Sequence, residues 1–195
     1  MTPAIISAFF TYTFITAMTP GPNNILALSS VSSHGLSGSR RVLTGMSLGF
    51  LAVMLLCAAI TFTLTRLDPG IAVWLNWIGA AYILWLAVKV AMSRPSSSGS
   101  STQPLSFWAS FGLQFVNVKI ILYGITAISS FVLPYTHDML WVIAVSLLLS
   151  LIGTIGILSW ALAGHVFQAL FQRHGRIVNL TLAALLVYCA IRMFV

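Results

Sequence analysis

No charged side chain occurs before Arg40, and the remaining 155 or so residues hold few: the whole chain of 195 carries 9 Lys or Arg and 2 Asp or Glu. Charge is what allows a folded chain to cover itself in water. Soluble domains are about 25% charged, whereas this chain is 6% charged and 59% apolar, with a mean hydropathy of +1.02. A bilayer-crossing helix takes roughly 20 apolar residues, so six crossings use about 120 residues and leave only loops. That arithmetic excludes a water-soluble catalytic domain and a disordered chain. The expected fold class is an all-α polytopic membrane protein.

Runs at about residues 5–31, 42–65, 71–88, 107–133, 140–162 and 177–195, charge-free but for Lys119 in the fourth and Arg192 near the end of the sixth, predict six transmembrane helices. The run from 139 to 172 is too short for two crossings and a turn, which need about 40 residues. It is expected to hold one crossing followed by an interfacial piece at 165–172. The opening run lacks a basic leader and is longer than a signal-peptide core, so it is expected to remain as a span. Residues 93–104 are rich in Ser and Gly with Pro95 and Pro104 near the ends, the composition of a flexible linker. The expected organisation is one membrane domain, 1–195, made of a first three-helix repeat (1–92), the linker (93–104) and a second three-helix repeat (105–195).

The bases orient these spans. Arg40, Arg41, Lys89, Arg94, Arg173 and Arg176 follow spans one, three and five; Arg66 and Arg192 lie on the other side with both acids, Asp68 and Asp138. Positive loops stay cytoplasmic, so both termini are expected to be periplasmic and the linker cytoplasmic. The pI near 10.1 reflects missing acids. The bases are scattered at span edges and form no stripe of the kind that binds nucleic acid.

The two halves align. At an offset of 97, Phe10 and Phe14 fall on Phe107 and Phe111, and Pro20-Gly21-Pro22 falls on Asn117-Val118-Lys119. In the third spans the offset becomes 103: Asn76 meets Asn179, Ala80-Ala81 meet Ala183-Ala184, Trp85 meets Tyr188 and Lys89 meets Arg192. Three spans per half is an odd number, so the second half enters from the opposite face. Inverted repeats are a transporter architecture with the binding site near the midplane.

Pro20-Gly21-Pro22, followed by Asn23 and Asn24, stands inside the first apolar run. Proline removes a backbone donor and clashes with the preceding turn, so a broken helix is expected, with a plain kink or a helix starting at Pro20 as the alternatives. Broken backbone within a bilayer is tolerated only where protein or a water-filled cavity receives it. The restarted half-helix would aim its positive end at a substrate carboxylate. The repeat partner holds Asn117 and Lys119. A lysine inside a span costs roughly 2.5 to 3.5 kcal/mol on insertion scales and points to function, unless the span starts later and the side chain snorkels to an interface. The expected substrate-binding residues are thus Pro20, Gly21, Pro22, Asn23, Asn24, Asn117 and Lys119. With no acid inside a span, a substrate ammonium needs carbonyls, amides or aromatic faces.

Gly45-x-Ser47-x-Gly49 matches the pattern of serine-hydrolase elbows, which need a strand-to-helix turn and a histidine partner. In an apolar helix Gly45 and Gly49 instead predict close helix packing. No catalytic residue, cofactor or metal is expected: His34, His137, His165 and His174 fall in loops or span ends, Cys57 and Cys189 lie in separate apolar runs, and Asn179-Leu180-Thr181 lies within a span, where a glycosylation site has no use. A nucleotide-binding loop (Gly-x-x-x-x-Gly-Lys) is absent from the sequence, so transport would draw on a gradient.

The run Thr19-Pro20-Gly21-Pro22-Asn23, the Gly45-xxx-Gly49 span after Arg40-Arg41, and Asn117-Val118-Lys119 resemble the LysE/RhtB superfamily of bacterial amino-acid exporters, end to end. That family usually has Asn-Pro-Lys in the fourth span; Val118 replaces the proline, which leaves a second helix break open. Residues 107–134 and 160–164 are most similar to exporters of cysteine and O-acetylserine. The resemblance implies a secondary exporter of small neutral amino acids in the bacterial inner membrane, with other amino acids such as homoserine or threonine as the alternative cargo. Its partners would be the substrate and the lipid bilayer, and a homo-oligomer is left open. Readings outside transport are a membrane assembly protein and an intramembrane serine hydrolase at Ser47. Fusion of cytoplasm-dependent and periplasm-dependent reporters to Val195 checks the orientation: only the periplasmic reporter is expected to be active.

Overall fold

The computed structural model describes residues 2–92, 105–136 and 138–191. The 93–104 linker, His137 and Arg192 lie outside the described residues, as do the side chains of Asn76, Lys89, His165, Arg173, His174 and Asn179. The described chain is helical: α1 (Pro3–Met18), α2 (Pro22–Leu67), α3 (Pro69–Ala91), α4 (Phe107–Gly112) running into a 3₁₀ turn (Leu113–Val116), α5 (Val118–Phe131) and α6 (Met139–Ile191).

Local chemistry sets the ends. Thr2 caps α1 by accepting from the Ile5 amide at 3.4 Å, with Pro3 preorganised at the first position. Pro22 opens α2 in the same way, behind Gly21. Asp68 separates α2 from α3 and accepts from the Gly70 amide at 2.8 Å, while Pro69 starts α3.

Two helical runs fold back on themselves. Within α2, Gly35 adopts φ 68°, ψ 174°, a left-handed φ that glycine tolerates without a Cβ penalty. The Ser30 and Ser39 hydroxyls meet at 2.8 Å across this point, although nine residues of straight helix would set them about 13 Å apart. The run is therefore a hairpin of two arms. Arg40 and Arg41, expected in a loop, belong to the helix beyond this corner; the chain turns at the single non-helical residue Gly35 and is helical on both sides of it. In α6, the Trp160 indole donates to Met18 O at 2.9 Å and the Cys189 thiol to Ala8 O at 3.4 Å. These donors would be about 43 Å apart on a straight helix, while their acceptors on α1 are separated by about 15 Å. So α6 reverses between its arms Met139–Ala163 and Leu180–Ile191. The expected interfacial piece at 165–172 falls within this helical run.

The exterior is apolar, and hydrogen-bonding side chains are buried among the apolar core. Thr13, Asn24, Ser39, Ser110, Gln114 and Ser146 are buried, while Phe14, Trp74, Trp77, Trp108, Leu140 and Leu162 are exposed. Apolar surface facing outward with polar groups turned inward is the arrangement lipid favours. By length and composition Pro22–Leu67 and Met139–Ala163 are apolar enough to cross a bilayer, and α4 with α5 forms a further pair bent by 57° at Asn117.

The packing registers run in opposite senses. Phe9 meets Phe131 and Tyr12 stacks on Tyr123, while Lys119 reaches Thr19, so α1 and α5 are antiparallel. α4 lies parallel to the second arm of α2. A Cβ on Gly45 would collide with Phe107 O, and one on Gly49 would stand 2.6 Å from Phe111 O. Both glycines therefore pack helix against helix, as expected, and they seat α4. Ser47 donates back to Leu43 O at 2.9 Å within a regular helix, so the hydrolase-elbow geometry is missing.

Gly49→Val should lower the thermal stability of the detergent-solubilised protein by about 1–3 kcal/mol, the usual cost of overpacking. Gly112→Ala, where a Cβ would meet nothing within 4 Å, should leave it unchanged or slightly raised. A thermal-shift series on the two variants measures the difference.

Candidate functional site

The first span breaks at Thr19–Gly21, and the break exposes carbonyls at the end of α1. A helix end leaves its last carbonyls without intrahelical donors, and no water is available in a bilayer core to take them. Side chains from three directions do so. Asn24 donates its amide to Ala17 O at 2.8 Å and Thr19 O at 3.0 Å. Trp160 takes Met18 O. The Lys119 ammonium, from α5, donates to Thr19 O at 2.8 Å. A cation at the negative end of a helix dipole is favourably placed, which gives Lys119 its electrostatic compensation in a region without acids.

Gly21 makes that approach possible. A Cβ there would lie 3.0 Å from Lys119 Nζ, so any larger residue would displace the ammonium. Backbone space is what this position requires.

The fourth span is also broken, in spite of Val118. Asn117 supplies what the proline would have: its side chain accepts from the Lys119 amide at 3.2 Å and caps the restarted α5. Its own amide donates to Asn23 Oδ1 at 3.1 Å. Gln114, fully buried, completes the junction. It accepts from Asn23 Nδ2 at 2.6 Å and donates to Asn23 Oδ1 at 3.3 Å and to Ser110 O at 3.0 Å. Three amides from two spans thus hold the two breaks together. Gly21 and Asn117 each stand at the N-cap of a restarted helix.

The expected site residues are therefore brought together: Gly21, Asn23, Asn117 and Lys119 form one partition. On one side of it lies a cavity of about 580 Å³ that also touches Pro20, Pro22, Tyr82 and Trp85, within the size range of small-molecule sites. On the other lies a small cavity of about 30 Å³, reached by Thr16, Asn24, Phe50 and Tyr123. Asn24, expected to bind substrate, is buried and spends its amide donors on the end of α1. Sequence reasoning missed Gln114, Trp160 and Thr16. Gln114 carried a signal, an amide three residues before Asn117 in an apolar run. Trp160 carried none that separates it from a lipid-facing tryptophan. Among the described residues no group of three or more His, Cys, Asp or Glu side chains assembles to hold a metal ion.

Residues 14–195 match the model of the LysE type translocator family. The chain belongs to that family. It is a translocator, and the family match sets aside the hydrolase reading of Ser47. Over 194 residues, covering the whole of both chains, it is 64% identical to the cysteine/O-acetylserine efflux protein of Escherichia coli K12. It is 65% identical over 195 residues to the protein of the same name from Klebsiella pneumoniae, again over both full lengths. No solved structure matches the chain.

Asn24→Leu keeps the branched shape of the side chain but leaves two carbonyls of the first break without their amide donor. Stripping partners from buried polar groups costs about 1–3 kcal/mol. The variant should insert but melt earlier than wild type in a detergent thermal shift.

Proposed function

We propose that this translocator exports cysteine and O-acetylserine from the cytoplasm across the bacterial inner membrane, driven by a gradient. The carrying observation is the convergence of two helix breaks at Lys119 beside a cavity of about 580 Å³. The breaks present two helix N-termini, at Gly21 and Asn117, and two C-terminal ends, at Thr19 and Val116. Positive and negative helix ends side by side match the two charges of an amino-acid zwitterion. Both acids of the chain, Asp68 and Asp138, lie between helices and away from the breaks, so a basic side chain would enter without a counter-charge. Small uncharged side chains add no charge to neutralise. The names of the relatives, at 64–65% identity across both lengths, supply the particular cargo.

In this reading the chain has six transmembrane helices in two inverted three-helix repeats, and both termini are periplasmic. Burial at the 103 offset supports the repeat: Ala80, Ile83, Leu86 and Ala87 are buried, and so are Ala183, Leu186, Cys189 and Ala190. The fold-backs in α2 and α6 supply the extra turns that six crossings need. The opposite packing senses of α1 and α4 fit the inversion, and Arg40 and Arg41 beside the Gly35 corner fit a cytoplasmic location for it.

Uptake and counterflow of labelled amino acids in proteoliposomes test the proposal. Cysteine and O-acetylserine should move, and lysine and arginine should move poorly. Lys119→Ala should abolish flux while the protein still inserts at normal yield. Unimpaired flux in Lys119→Ala would remove the lysine from the mechanism. Movement of basic amino acids with the neutral ones excluded would refute the cargo.

A further inference from the structure

Thr16, one of the residues that line the small cavity, has a buried hydroxyl with nothing to bond. Threonines and serines in helices ordinarily return their hydroxyl to a carbonyl three or four residues back, and this chain follows the habit repeatedly. Thr19 donates to Ile15 O at 2.6 Å, Thr65 to Thr61 O at 2.9 Å and Ser146 to Val142 O at 2.7 Å. Thr16 departs from it. Its residue is 2% exposed, and its Oγ1 is the one buried side-chain oxygen or nitrogen among the described residues that lacks a partner. An unsatisfied buried polar atom is costly and calls for an explanation such as a ligand or an ordered water.

We infer that the cavity at Thr16 is the subsite that receives the side chain of the transported amino acid, with the Thr16 hydroxyl as its polar partner; the inference rests on the export reading above. The cavity and the larger one share Gly21, Asn23, Asn117 and Lys119, so a substrate held by its charged groups at the partition can direct its side chain towards Thr16. A volume of about 30 Å³ accommodates a group on the order of two water molecules. That is room for the atom bonded to the substrate's Cβ and its immediate neighbour, so the thiol of cysteine fits whole, whereas the ester of O-acetylserine enters by its first oxygen and its acetyl group stays on the side of the larger cavity. Phe50, Ile120 and Ile157 supply apolar walls, which favour an uncharged group. The Thr16 hydroxyl both donates and accepts, so it can serve a thiol, a hydroxyl or an ester oxygen carried next to the substrate's Cβ.

The test compares cysteine with 2-aminobutyrate, its isostere with a methyl in place of the thiol, in proteoliposomes holding wild type, Thr16→Val or Thr16→Ser. Wild type should prefer cysteine. Thr16→Val keeps the side-chain shape and removes the hydroxyl; it should raise KM for cysteine by about threefold to tenfold, the range of one hydrogen bond, and leave 2-aminobutyrate unchanged or improved. Thr16→Ser should retain the wild-type preference. Equal preference in all three proteins would overturn the inference and leave the cavity as a place for water, and equal loss of both substrates in Thr16→Val would reduce Thr16 to packing. If Thr16→Val fails to insert, Thr16→Ala, which only removes atoms, is read by the same ratio. Wild type that moves no amino acid would overturn the export reading itself, and the subsite with it, an outcome separate from transport with an unaltered ratio.

Discussion

A helix broken inside a bilayer must have its freed carbonyls met by protein. In this molecule α1 ends at Met18, and its end is bonded by Asn24, Trp160 and Lys119. Each donor comes from a different helical arm, so satisfying one helix end draws α2, α5 and α6 onto α1. The same contacts position the lysine, and the lysine in turn needs Gly21 for space and the helix dipole for charge balance. Break, packing and candidate site are one set of interactions.

The amide junction works on the same logic. Asn23 stands one residue beyond Pro22 on the restarted helix, and it meets both Gln114 and Asn117 from the opposing span. Interhelical amide bonds in membranes are worth about 0.6 kcal/mol on average, with a maximum near 1.7. Three of them cannot account for the stability of the fold. Their effect is geometric, since they lock the two breaks at the same level and leave cavities on either side of a thin partition.

The features legible in the sequence were those with local causes. Pro20-Gly21-Pro22 breaks a helix whatever surrounds it, because the lost donor and the ring clash act within one turn. Gly45 and Gly49, four residues apart, had to face a neighbouring backbone closely. The absence of charge placed the chain in the membrane before any residue was examined. Even the fourth-span break had a local component in Asn117, yet Val118 in place of proline left it undecided. Its resolution depends on Asn23, 94 residues away.

What tertiary structure alone decided was which polar atoms find partners. Lys119 read as a costly charge inside a span; only the fold reveals that its ammonium rests on Thr19 O at the end of α1. Only packing leaves the Thr16 hydroxyl buried without a partner. Arg40 and Arg41 read as loop residues because charge marks a span edge without marking whether the helix continues past it. Composition and periodicity record the solvent each residue prefers, and in this chain they determined the membrane, the number of apolar runs and the first break. Hydrogen-bond satisfaction is a property of pairs brought together from distant positions, so the partners of these polar groups were decided only when the helices met.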